Sequence, residues 1–265
     1  MAGFESREIA KLTSDGISRS IDHVTSESPL SIIVVSVKHG EHEMGITMRT
    51  EGHDDILSMG FLYSEGIISS ADDIDQLLIS ENQVIVKLKV EALFDPTQHC
   101  RRSTVTSSCG LCGRINLENG LNEFDTQLDE SMKIHFDAVK NCINSVIGMQ
   151  EIFSITGGSH ACASFTSEGE IHRVFEDVGR HNAFDKLVGS YLNEGFCGRP
   201  LGAFVSGRAS FELVQKSIRA GYPIMISVGA PSTMAVDLAK EHGMTLGCFA
   251  KDESVKFFSG VRRII

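Results

Sequence analysis

Apolar and polar positions along this chain follow two different rhythms. Ser31–Val37, SIIVVSV, is a β-branched apolar run, and His42–Met48 follows it across the turn-like Lys38-His39-Gly40-Glu41; the pair predicts a hairpin. His53–Tyr63 begins with acidic residues and sets Ile56, Leu57, Gly60 and Phe61 on one helical face, with Gly66 placed to stop it, which predicts an amphipathic helix. Ile74–Ile79 and Gln83–Val90 predict a second hairpin around Glu81-Asn82. Met1–Leu30 is polar, ends in Ser-Glu-Ser-Pro-Leu, and is expected to be an irregular arm. The first hundred residues thus form a small α+β unit.

After a long polar stretch the rhythm changes. Asp129–Val146 carries Met132, Ile134, Phe136, Val139, Cys142, Ile143 and Val146 at mostly helical spacing. Phe153–Thr156, Ala161–Thr166 and Ile171–Phe175 are short apolar runs read as strands. Helices are expected at Asn182–Tyr191, Ser210–Ala220 and Ser232–His242, the last with Ser232 as N-cap, and strands at Leu201–Ser206, Ile224–Val228 and Thr245–Phe249. Strands alternating with helices of about ten residues imply βαβ units and a largely parallel sheet. The expected division is an N-terminal α+β portion, 1–125, and an α/β domain, 126–265.

Composition narrows the function classes. The chain has 265 residues, 42% hydrophobic and 22% charged, with a formal net charge of -11. That balance suits a globular protein and argues against a general nucleic-acid binder, which needs a basic footprint. It leaves room for a local basic pocket that takes a phosphorylated ligand. The opening MAGFESREIAKL has charges where a signal peptide has an apolar core, and no run of eighteen apolar residues predicts a membrane span. Seven irregularly spaced cysteines fit a reduced, cytoplasmic protein.

The candidate chemistry sits in loops. Ser103–Arg114, STVTSSCGLCGR, places Cys109 and Cys112 three positions apart among small and polar residues, with Arg101, Arg102 and Arg114 around them. Nearby cations favour thiolate over thiol, and two thiols in one loop can divide the work of attack and resolution. In the second half, Thr156-Gly157-Gly158-Ser159-His160, Glu176–His181, Ser206–Ser210 and Gly229–Thr233 are Gly-bearing loops beside strands. Such loops line the ligand crevice of α/β sheets, and their backbone N–H groups suit phosphate, with Arg180 and Arg208 available for bidentate contacts. Simpler roles stand beside these. Cys109 and Cys112 also read as half of a zinc site with His99 and Cys100, although adjacent ligands chelate poorly. Cys142, Cys162, Cys197 and Cys248 read as core; His160 and His181 as local hydrogen-bonding groups; Asp177 and Asp185 as a cap and a solvated face; Glu212 and Lys216 as an i,i+4 ion pair. The order of His160 and the cysteine pair, and the lack of a glutamate in His160-Ala161-Cys162, argue against zinc deaminase chemistry.

The segments MRTEGHDDILSMGFLYSEGII, CGLCG, TGGSHA, EDVGRHNAFDKLVG and SGRASFELVQKS, in this order from about Pro29 to the end, resemble the formate dehydrogenase accessory sulfurtransferase family. The resemblance implies a cytidine deaminase-like three-layer α/β/α fold and a homodimer. It implies a cytoplasmic sulfurtransferase that takes persulfide sulfur from a cysteine desulfurase and passes it to the molybdenum or tungsten bis(molybdopterin guanine dinucleotide) cofactor of formate dehydrogenase. Cys109 would carry the persulfide and Cys112 would assist; Phe249, Ala250, Lys251, Asp252, Glu253 and Ser254 would contact the cofactor, with Arg180, His181 and Arg208 in the neighbouring loops. No resident metal is expected. A non-catalytic cofactor chaperone and a zinc-binding module remain the rival readings.

Overall fold

The computed structural model describes residues 3–99, 126–192, 202–251 and 253–265. Its first element corrects the expected irregular arm. Strands β1 (Phe4–Thr13) and β2 (Gly16–Thr25) pair antiparallel along their full length as a two-stranded ribbon. The turn is Ser14-Asp15 ahead of Gly16, whose φ of 120° suits a residue without a Cβ. Both faces of the ribbon are largely exposed, so burial imposes no in-and-out alternation on its sequence.

The two expected hairpins are present and merge into one sheet. Strands β3 (Ser28–Ser36), β4 (Gly40–Arg49), β5 (Ile74–Ser80) and β6 (Gln83–Leu88) lie in the order β4-β3-β6-β5, with β3 and β6 parallel at the centre. Leu30, Ile32 and Val34 of β3 and Val84, Val86 and Leu88 of β6, each set two residues apart, bury one face against helix α1 (Asp54–Ser64).

The second sheet has six strands: β7 (His160–Phe165), β8 (Ile171–Asp177), β9 (Gly202–Val205), β10 (Ile224–Ser227), β11 (Thr245–Lys251) and β12 (Ser254–Ser259), in the order β12-β11-β10-β9-β7-β8. Only β9, β10 and β11 run parallel to one another; the other pairings are antiparallel. The sheet is therefore mixed rather than largely parallel, because β7–β8 and β11–β12 are joined by turns too short for a crossover.

Helix α2 (Phe136–Met149) covers one face of this sheet, with Val139, Cys142, Ile143 and Val146 against Ala163, Phe165, Phe204, Ile224 and Ile226. It starts seven residues later than the apolar spacing suggests: Ile134 instead forms an isolated bridge with Ile264. Helix α3 (Glu151–Thr156) replaces the strand expected at Phe153–Thr156. Helices α4 (Arg180–Leu192), α5 (Phe211–Arg219) and α6 (Thr233–Glu241) pack on the opposite face. The result is a three-layer α/β/α arrangement with the smaller α+β portion attached. The attachment is intimate: α1 crosses α4 at Gly60 and Gly189, where an added Cβ would lie 1.8 Å from the carbonyl oxygen of Asp185 or Ile56, respectively. One core continues from the six-stranded sheet through α4 and α1 to the four-stranded sheet.

Candidate functional site

Strand direction decides where the loops go. Residues after β9, β10 and β11 emerge at one edge because those strands are parallel. Because β7 runs antiparallel to β9, and β8 antiparallel to β7, the start of β7 and the end of β8 reach the same edge, where His160 faces Asp177. All four Gly-bearing loops and the end of β11 therefore meet there. They brace one another through backbone bonds: Ser206 N–H to Ala161 O (2.9 Å), Gly229 N–H to Gly207 O (3.0 Å), Ala209 N–H to Ala230 O (3.1 Å), Ser232 N–H to Ala209 O (3.1 Å) and Phe249 N–H to Gly229 O (3.1 Å). Gly229 permits this packing, since a Cβ there would lie 2.7 Å from the Arg208 Cα. Ser210 and Ser232 cap α5 and α6 by accepting from Leu213 N–H and Ala235 N–H. Many of the backbone donors expected to face a phosphate are thus spent within the loops, and attraction for an anion falls to side-chain cations.

Beneath the loops lies buried charge. Asp177, fully buried, accepts from Lys186 Nζ (2.8 Å) and from the N–H groups of Gly179 (2.8 Å) and Thr50 (3.2 Å) and Asn182 Nδ2 (3.2 Å). Burial pushes its carboxyl upward while Lys186 pulls it back down. Lys186 also donates to Thr50 O at 2.9 Å. Asp185 pairs with Lys216 and accepts from Ser64 Oγ at 2.8 Å. Asp177 and Asp185 are therefore buried ion-pair members, not a simple cap and a solvated face. Lys216 does not pair with Glu212 as its i,i+4 spacing suggested: Glu212 lies 3.0 Å from His181 Nε2. These bonds fix residues 177–181 against the α+β portion as well as against α4.

The candidate residues fall into groups. Arg180 and His160 meet at Gly207, where the Arg180 Cδ and the His160 Nδ1 each lie 3.4 Å from the position of an added Cβ; His181, next in α4, stands 3.3 Å from Ser210 Oγ, in the loop that carries Arg208. His160 is held below the ordinary histidine range by burial, then by Arg180 and His181. Arg208 and Lys251 are exposed, Arg180 and His181 half-buried. Phe249 joins this group through its bond to Gly229; it has φ 53° and stands under Lys256, whose Nζ is 4.9 Å from the ring centroid. The segment after it is a tight hairpin in which Lys251 pairs with Ser254. Ala250 is 3% exposed and belongs to the core under α2, so its side chain does not reach the loop edge. Glu253 and Ser254 are exposed at the hairpin turn. Cys109, Cys112 and Asp252, with Arg101, Arg102 and Arg114, lie outside the described residues. Cys142, Cys162 and Cys248 are buried free thiols; burial raises all three, Cys248 to about 12, so none supplies a thiolate at neutral pH. Among the described residues no three His, Cys, Asp or Glu side chains are grouped to hold a metal ion.

A family model described as FdhD/NarQ matches residues 25–265. The chain belongs to the FdhD/NarQ family. Relatives named "Sulfur carrier protein FdhD" agree with it along nearly their whole length. The one from Streptomyces avermitilis is 36% identical over 275 residues, covering 98% of this chain and 95% of the relative. That from Thermoplasma volcanium is 37% identical with the same coverage. That from Saccharolobus solfataricus is 39% identical over 247 residues, covering 92% and 91%. A crystal structure described as a formate dehydrogenase accessory protein from Desulfotalea psychrophila superposes with a TM-score of 0.80 at 24% identity, over 99% of this chain and all of that one; it establishes the shared fold.

Several residues that build the site of this FdhD/NarQ chain escaped sequence reasoning. Glu176 accepts from Ile152 N–H (2.8 Å), Phe153 N–H (2.9 Å) and Ser159 Oγ (2.7 Å), so one carboxylate caps α3 and holds the 157–160 loop. Thr50 receives the loop from the other side, with Val178 N–H donating to its Oγ1 at 3.0 Å. Asn182 donates to Met48 O at 2.7 Å. Nothing local in the sequence signals these partners, which lie 17 or more residues apart.

Proposed function

We propose that this chain is a sulfur carrier that accepts persulfide sulfur on Cys109 from a cysteine desulfurase. It passes that sulfur to the molybdenum or tungsten bis(molybdopterin guanine dinucleotide) cofactor destined for formate dehydrogenase. The names of its relatives support the sulfur-carrying role. The observation that carries the cofactor half is the gathering of Arg180, His181, Arg208, Lys251 and Phe249 at one sheet edge of a chain with net charge -11. In the loading step the Cys109 thiolate attacks the terminal sulfur of the donor's persulfide; a new S–S bond forms, the donor's S–S bond breaks, and the donor cysteine leaves as a thiolate. Cys112 assists in the same loop. Arg180 and Arg208 contact the phosphates of the cofactor, which is substrate here, through charge-assisted bonds. Phe249 offers a ring to a planar base, and Lys251 adds positive charge beside it. The buried, unpaired cysteines of the described residues fit work in a reducing cytoplasm.

The test is intact-mass analysis after incubation with a cysteine desulfurase and cysteine. Wild-type protein gains sulfur that a reductant removes, and Cys109→Ala does not. Full loading of Cys109→Ala sinks the assignment; full activation of formate dehydrogenase by that variant points to a cofactor chaperone instead. For the cofactor half, Arg208→Ala weakens guanine-nucleotide binding by about 1.5–3 kcal/mol, or roughly ten- to a hundredfold, by calorimetry. Because Arg208 is exposed, the fold is unaffected, and unchanged affinity removes it from the site.

A further inference from the structure

Strand β11 breaks its own alternation at the loop edge. Along an even strand, Cys248 and Ala250 would share a face. Here Cys248 lies in the core under α4, α5 and α6, while Ala250 lies in the core under α2. The cause is a bulge: Cys248 pairs with Lys256 and Lys251 with Ser254, so Phe249 and Ala250 together face Val255 alone. Bulges re-aim a side chain, and the one re-aimed is Phe249. It belongs to neither core, its ring is 37% exposed, and its φ of 53° is a left-handed value uncommon outside Gly. Its N–H donates to Gly229 O at 3.1 Å, which fastens it to the converging loops. A large apolar ring held in an unfavourable backbone conformation and left in solvent does nothing for the fold. The ring is nevertheless covered. Lys256 Nζ stands 4.9 Å from its centroid, and the Phe258 ring flanks it at 6.3 Å. Lys256 is exposed and, as the cross-strand partner of Cys248, rises from the α4–α6 side of the sheet.

We infer that Lys256 is a movable cover on Phe249, and that the two together select ligands carrying both a planar base and an anionic group. The inference rests on the reading of this loop edge as a guanine-nucleotide site. In the free protein the ammonium takes the ring face that a base needs. An exposed cation–π contact is worth about two- to fivefold in an equilibrium constant, whereas stacking of a base on an aromatic side chain is worth roughly five- to a hundredfold. The base therefore displaces the ammonium. The displaced side chain is a point charge on a flexible four-carbon stem, so it swings from the ring to the phosphate that follows the base. A neutral nucleoside must move Lys256 and gives it no new partner. A free phosphate can attract Lys256 but leaves the ring uncovered. Only a nucleotide satisfies both groups, so the pair discriminates by requiring the two halves of the ligand at once.

Calorimetry on the full chain with guanosine and with guanosine diphosphate tests this. In Lys256→Ala the two affinities move in opposite directions: guanosine binds about two- to fivefold more tightly because the ring is uncovered, and the diphosphate about three- to tenfold more weakly because a charge-assisted contact is lost. Lys256→Arg keeps both within about twofold of wild type, since a guanidinium both stacks and pairs. Phe249→Asn weakens both ligands about fivefold or more; Asn accepts the left-handed backbone, so the ring is removed without undoing the bulge. A second readout needs no variant. The side-chain methylene protons of Lys256 are shifted upfield by the ring in the free protein and return toward their ordinary position when the diphosphate is added. Affinities that move together in Lys256→Ala, or do not move, overturn the inference and leave the nucleotide reading standing. Lysine resonances that stay upfield with the diphosphate bound overturn it as well. Wild-type protein that binds neither ligand removes the nucleotide reading itself, and the inference with it.

Discussion

The two edges of the six-stranded sheet bury charge in opposite ways. At the loop edge Asp177 meets Lys186 and Asp185 meets Lys216, each pair almost wholly out of solvent. Nearby, Arg49, 1% exposed, is matched to Asp54 at 2.8 Å and to Ser28. At the far edge Arg263, fully buried, bonds instead to neutral acceptors: Asp129 O (2.8 Å), Gly243 O (2.6 Å) and Thr245 Oγ1 (3.4 Å). Burial, reinforced by Arg262, pulls its pKa below the ordinary arginine range. A buried ion pair adds little net stability but is costly to break one partner at a time, so it restricts which arrangements are tolerated. A guanidinium collecting carbonyls ties chain ends together: Arg263 holds the strand bridge of Ile134 and Ile264 in place. The loop edge is built for a unique geometry, the far edge for closure.

Breaking one member of a loop-edge pair gives the largest expected effect. Lys186→Met strands the Asp177 carboxylate in the core and should cost about 3–5 kcal/mol, measured by urea unfolding. Adding Asp177→Asn removes the stranded charge, so the double variant should recover much of that loss. Guanine-nucleotide affinity, however, should be reduced in the double variant even as stability recovers, because Gly179 N–H and Thr50 N–H have lost the carboxylate that fixes the 178–181 loop. Equal stability loss in single and double variants contradicts the pairing argument.

The far edge should respond less and without rescue. Arg263→Met leaves two carbonyls and a hydroxyl without their donor and should cost about 1–3 kcal/mol. Amide exchange should quicken in β12 and in residues 128–134 while the loops around Gly207 keep their protection. Equal loosening at both edges would mean that the edges are not independent.

The same contrast explains what the sequence disclosed. The hairpins β3–β4 and β5–β6 and helices α1, α5 and α6 were legible because each has one buried face or a local signal, such as Ser232 as N-cap. The ribbon was not, because neither face is buried. Helix α3 was misread because a run as short as Glu151–Thr156 has no decisive period, and its cap, Glu176, lies 24 residues from Ile152. Strand β12, SVKFFS, carries its signal only as the edge partner of β11. The loops were correctly singled out as polar Gly-bearing turns, but their convergence depends on strand order. The partners of Glu212 and Lys216 failed for a related reason: α5 is buried along nearly all its length, so both side chains turn to α4 rather than to each other.

The smallest expected effect comes from protons. His160 sits at the loop edge with its pKa lowered by burial first and by Arg180 and His181 after it. The unfolded chain, with an ordinary value near 6.5, therefore takes up this proton before the folded one does. Stability should fall as pH drops below about 6.5, and level off once pH passes the lowered folded value. His160→Gln removes this contribution, so its loss of melting temperature between pH 7 and pH 5 should be smaller than that of wild type. Ring titration by NMR sharpens the point, because Arg180→Met should raise the His160 midpoint, while Arg263→Met, at the far edge, should leave it alone. A guanine nucleotide bound beside Arg180 and Arg208 brings negative charge to the ring and should raise the midpoint in wild-type protein. A midpoint at or above the ordinary histidine value in the free protein, or one that a bound nucleotide does not move, would separate His160 from the anion site and leave it a packing residue of β7.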